Sequence, residues 1–135
     1  MLLQPKKIKH RKPKKGKLKK LEFKNNKLKF GHIGLKSFGS GLLSARQLEA
    51  SRRAIVKKLN RKGKLWLRVF PDYPVTKKPN ESRMGKGKGN LASWSVKVAK
   101  GTMLFEIAGV PSKIAAQALR SGGHKLTVRA EIVFN

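Results

Sequence analysis

An α+β fold, with two helices on a mostly antiparallel sheet, follows from three features of the 135-residue sequence. Runs at 64–70, 94–107 and 125–134 alternate apolar and polar residues with the two-residue period of strands. Two stretches, after Ser44 and after Pro111, repeat their apolar residues at helical spacing instead. Strands and helices are mixed along the chain and no internal repeat appears, so the layers read as one domain, 30–135, behind a basic extension, 1–29.

The extension carries 13 basic residues, among them Lys6, Lys7, Lys9, Arg11, Lys12, Lys14, Lys15 and Lys17, against the single acid Glu22. Its few apolar residues keep no period, so alone it cannot offset the entropy of ordering. Its charge density reads as an arm that orders against phosphates, releasing a counterion at each one. A transit peptide would favour arginine and serine, and this segment is nearly all lysine.

The domain opens with "FGHIGLKSFGSG", read as a short strand and a turn. "SARQ" then spells a capping box in which Ser44 and Gln47 satisfy each other's backbone N–H groups. In the helix that follows, Ala45, Leu48, Ile55, Val56 and Leu59 share one face, while Arg46, Arg53 and Lys57 share the flank as RNA-contact candidates. Arg52 falls on the apolar side against the pattern, and Gly63 in "LNRKGK" suits the helix stop. "KLWLRVF" predicts a strand over 64–70. The alternation of Trp94, Val96 and Val98, a turn at Lys100-Gly101, and Met103, Phe105 and Ile107 predict a hairpin. Pro111 opens a second helix with Ile114, Ala115, Ala118 and Leu119 inward, ended by Gly122-Gly123. Leu126, Val128, Ala130, Ile132 and Phe134 predict a final strand.

Charge sets the class of partner. Lysine and arginine number 34 against 6 acids, a formal +28, and self-repulsion on that scale calls for a polyanion. No apolar run approaches the roughly 18 residues of a spanning helix, and the opening residues lack a secretory apolar stretch, so no membrane partner is expected. The lack of cysteine removes disulfides, thiol catalysis and zinc knuckles together. His10, His32 and His124 have no partner at metal-ligand spacing, Asp72 is the sole aspartate, and the Asn80-Glu81-Ser82 sequon is read as chance. Neither catalytic residues, nor a metal, nor a cofactor is expected.

Residues 71–91 carry Pro71, Pro74 and Pro79, show no period, and read as a long loop, which at that length is usually functional or disordered. "ESRMGKGKGN" is its centre. A nucleotide-binding P-loop needs four residues between its first glycine and a Gly-Lys-Ser/Thr that opens a helix, and this stretch has neither. Flexible linkers are rich in glycine and serine, whereas here Lys77, Lys78, Arg83, Lys86 and Lys88 outweigh two acids. Gly85, Gly87 and Gly89 let backbone approach a phosphate closely, Arg83 offers a planar fork, and Met84 a soft apolar contact. The loop reads as a probe into crowded nucleic acid.

"PVTKKPNESRMGKGKGN", "KLWLRVFPD", "SARQLEASRRAI" and "LFEIAGVPSKIAAQALRSGGHKL" together resemble the bacterial-type large-subunit ribosomal protein L-sixteen family, from about Phe30 to the end. The resemblance implies an α/β-hammerhead-like fold and a structural protein bound to large-subunit rRNA near the 5S rRNA region and the peptidyl-transferase centre. It further implies contact with A-site tRNA through the loop from Arg83 to Gly89, an arm at Pro5 to Lys20 threading rRNA beside neighbouring ribosomal proteins, and no homo-oligomer. The arm departs from common members in using lysine for arginine, which weakens forked phosphate recognition, and "KLEFKNNKLKF" has no clear counterpart. Lysine and asparagine richness without a presequence favours a mitochondrial or plastid ribosome over a bacterial cytoplasm. A DNA-compacting protein and an RNA-modifying enzyme are the competing classes.

Overall fold

The computed structural model describes residues 3–16, 18 and 21–135. In chain order the elements are β1 (Ile33–Ser37), β2 (Gly41–Ser44), α1 (Ala45–Lys58), β3 (Lys64–Leu67), β4 (Tyr73–Lys77), β5 (Asn90–Val98), β6 (Met103–Ala108), α2 (Ser112–Gly123) and β7 (Ala130–Phe134). The α+β class and the two helices are as expected, but the strands form two sheets. Four are ordered β3-β6-β1-β7 and three β2-β5-β4, with every named pair antiparallel.

The expected hairpin of β5 and β6 is therefore not formed. Between them the chain passes from one sheet to the other, with Gly101 at φ +94° donating to the Ser37 carbonyl at 2.7 Å. Ser37 in turn donates to Thr102 at 2.8 Å, so the crossing is tied to the end of β1. Alternation marks a strand and its inward face; partners are chosen by contacts distant in sequence. The β1–β6 register slips by one residue between Leu35 and Lys36, the signature of a bulge. As a result both Leu104 and Phe105 enter the core, and Met103 lies instead beside Leu28 and Gly34.

The expected loop 71–91 is shorter than its composition implied, because it contains β4 and the first residues of β5. β4 is an edge strand, where Pro74 lacks an N–H without breaking an inner ladder. The last strand starts at Ala130, not 125, since Lys125 and Leu126 still donate to Gly122 and Gly123 at the end of α2. β3 likewise stops at Leu67.

The capping box at α1 has both bonds, Gln47 N–H to Ser44 Oγ at 3.2 Å and Ser44 N–H to Gln47 Oε1 at 2.9 Å. Leu48, Ser51 and Ile55 are its buried residues. α2 crosses it so closely that a Cβ on Gly122 would lie 2.5 Å from Ile55, and Ser51 donates to the Gly122 carbonyl at 2.9 Å. Gly122 therefore serves packing as well as ending the helix. The unexplained charge of Arg52 goes to Glu49, one helical turn back, at 2.7 Å. That hydrogen-bonded guanidinium pulls the Glu49 carboxyl from 4.5 down to about 2.

On the far side of the four-stranded sheet lies Glu106, fully buried. Its Oε2 accepts the backbone N–H groups of Lys29, Phe30 and Gly31 at 3.1, 2.7 and 2.9 Å, and its Oε1 is paired with Arg68. Arg68 also donates to Asn25 Oδ1 at 2.6 Å and stands over the ring of Phe30, which stacks on Trp66. Asn25 closes the system with its backbone carbonyl accepting from Met103 at 2.7 Å. Residues 25–31 are thereby fixed across the sheet.

Replacing Glu106 by alanine leaves Arg68 buried without its counter-charge and three N–H groups unpaired. We expect a loss of about 3–5 kcal/mol in chemical denaturation. For Glu49, the folded value lies below the unfolded one, so its contribution is present above about pH 4.5 and lost as pH falls through about 2. A carboxyl NMR titration should place the Glu49 midpoint near 2 and return it toward 4.5 in Arg52→Ala.

Candidate nucleic-acid interface

The loop rises from the open end of the β4–β5 pair. A Cβ on Gly89 would lie 2.6 Å from the Lys77 carbonyl oxygen, so the two limbs meet backbone to backbone at the base. Beyond it Gly85, Lys86 and Gly87 hold φ of +89°, +53° and +83° in succession. Side chains resist that conformation, which is the reason for glycine at positions with nothing within 4 Å. Lys86 adopts it too, at a cost of roughly 1–2 kcal/mol. Arg83, Lys86 and Lys88 are exposed, and Met84 is 98% exposed. Lys78 reaches across to the Gly85 carbonyl and stiffens the tip from within, while Lys77 stays exposed at the end of β4.

Two of the arm's residues meet this loop. Lys12 Nζ donates to the Lys88 carbonyl at 3.1 Å, and Lys88 Nζ donates to the Pro13 carbonyl at 2.6 Å. Just below, Tyr73 donates its hydroxyl to the Lys14 carbonyl at 3.0 Å, and Lys97 stands over the Tyr73 ring at 4.2 Å. Arm and loop therefore share one cationic surface, a junction that sequence distance concealed. Lys6, Lys7, Lys9, Arg11 and Lys15 are exposed along the arm, and Lys17 lies outside the described residues.

Along α1 the three flank cations are exposed and divide between two grooves. Arg46 and Arg53 border one with Trp94 of β5 and with Leu3 and Gln4 of the arm. Arg53 and Lys57 border the next with Arg61. Leu3 is buried in the main core, an anchor that an apolar residue ahead of a basic run gives little sign of.

Ion pairs among the described residues engage Arg52, Arg53 and Arg68, with Glu49 and Glu106 as the acids. The described cations of arm and loop thus have no carboxylate partner among the described residues. Such a surface binds phosphate groups by charge and by hydrogen bonds, and is poorly suited to general acid–base work. No group of three or more potential metal ligands occurs among the described residues, and none of their helices is long and apolar enough to cross a membrane.

The family described as Ribosomal protein L16p/L10e matches residues 5–133, a span that includes 20–30 as well as the arm. Relatives named Large ribosomal subunit protein uL16 agree. That of Sulfurihydrogenibium sp. is 50% identical over 132 residues, 98% of this chain and 96% of its own length. Those of Rhizobium rhizogenes and Sinorhizobium medicae are 50% and 48% identical over the same shares. With a match over nearly the whole chain and half of its residues shared, the protein belongs to the L16p/L10e family of ribosomal proteins.

Proposed function

We propose that this non-enzymatic, structural protein of the large ribosomal subunit binds large-subunit rRNA through its arm (1–29) and the α1 flank, and helps shape the aminoacyl-tRNA site through its loop. The observation that carries the reading is the loop itself, a free-standing cationic tip whose base is braced by Lys12, Pro13 and Lys88. A brace at the base and open space at the tip suit an element that reaches from an anchored body toward a second RNA. The partners in this reading are large-subunit rRNA near the 5S region, neighbouring subunit proteins and A-site tRNA. The similar relatives are bacterial and give the organelle expectation no support, so the ribosome is read as bacterial in type.

Arg83→Ala with Lys86→Ala removes two tip cations and leaves the Lys88 brace in place. Subunits carrying this variant should sediment normally and accommodate A-site tRNA at least about tenfold more slowly, the factor for about 1.4 kcal/mol. An unchanged rate of accommodation and peptide transfer would sink the loop's role.

Exchanging Lys6, Lys7, Lys9 and Arg11 for glutamine keeps Leu3 in the core while neutralising the arm. Incorporation into subunits should fall, and the slope of log affinity against log salt for rRNA fragments should flatten by roughly three. Equal slopes for both proteins would exclude the arm from phosphate contact.

A further inference from the structure

β5 runs nine residues from the loop base, and past its far end lies a second surface, roughly 30 Å away at strand rise. Here Phe23, 77% exposed, and Phe38, 42% exposed, line a cleft of about 370 Å³ together with Leu21, Lys36, Lys100 and Glu131. Around Phe38 the cations are arranged rather than scattered. Lys100 Nζ is 4.5 Å from its ring centroid and Arg129 is 5.3 Å from it, close enough for the ring to hold both at the rim. The backbone under them is fixed as well, since Phe38 donates to the Arg129 carbonyl at 2.8 Å and Glu22 to that of Lys100 at 2.9 Å. Glu22, whose carboxylate accepts the N–H groups of Lys24 and Asn25, and Glu131 are the two acids of the lining, so three cations outweigh two carboxylates.

We infer that this cleft receives one unstacked nucleotide of single-stranded RNA, with the base on Phe23 and its phosphates between Lys100, Arg129 and Lys36. Exposed aromatic faces beside pre-positioned cations are the combination that single strands require, and a duplex cannot offer its bases to them. An apolar protein segment would gain from the apolar lining but would leave the excess positive charge of the rim unmatched. The site rests on the proposed RNA-binding role, yet it lies apart from the loop, from α1 and from the basic run 5–20 of the arm.

The test uses the full chain and two RNA probes, an oligouridine carrying one 2-aminopurine and a blunt duplex of the same charge. Phe23→Leu with Phe38→Leu keeps the cleft apolar and removes its π faces. Single-strand affinity should fall about 5- to 150-fold, the range for one lost base–aromatic stack, and the fluorophore's quenching on binding should disappear. Duplex affinity and the urea midpoint should not change. Undiminished single-strand affinity and quenching in the double variant overturn the site. Failure of the unaltered protein to bind either RNA overturns instead the RNA-binding role on which the site rests.

Discussion

One buried carboxylate organises the outer half of this molecule. Glu106 stands on the sheet face away from the helices, where a charge is tolerated only if every oxygen is matched. Arg68 supplies the counter-charge and three consecutive backbone N–H groups supply the rest. Those N–H groups belong to residues 29–31, so solvating Glu106 and covering the sheet with the end of the extension are the same event. Gly31 is part of that arrangement, since a Cβ there would lie 2.4 Å from the Ile107 carbonyl oxygen. Asn26 of this fixed strip also lines the cleft with Phe23.

Charge is divided by purpose. The acids that matter structurally, Glu49 and Glu106, neutralise arginines at points where the fold needs them. Most of the described lysines of arm and loop are turned to solvent, and the sequence carries a formal net +28. Repulsion of that size opposes the compact state, and a bound polyanion would relieve it. Half the chain's identity to bacterial ribosomal relatives gives that polyanion a natural setting.

Much of the fold and part of the site can be read from residues alone. Ser44 and Gln47 announce the start of α1 because a capping box is local, with its partners three residues apart. The glycine–lysine alternation of the loop is equally local, and the positive φ values of Gly85 and Gly87 follow from the residue type, whereas that of Lys86 does not. What escapes reading depends on distance. β5 and β6 alternate as a hairpin does, but their partners lie in separate sheets. Pro74 hides β4, which is admissible only because β4 ends up at an edge. Arg52 looked misplaced until Glu49 took its charge, and Asn25, Arg68 and Glu106 carry no signal of one another across more than 35 residues.

That distance also bears on how the chain comes into being. The N–H groups of residues 29–31 wait for an acceptor 75 to 77 positions further on. During vectorial synthesis, at about 5–20 residues per second, the basic segment is therefore finished several seconds before β6 can emerge to hold it. Throughout that interval its lysines are free to engage a polyanion, and the closing of the fold then sets residues 25–31 in place behind them. Docking of the strip thus has to wait for β6, and the basic segment is available to a polyanion before the fold can close over residues 25–31.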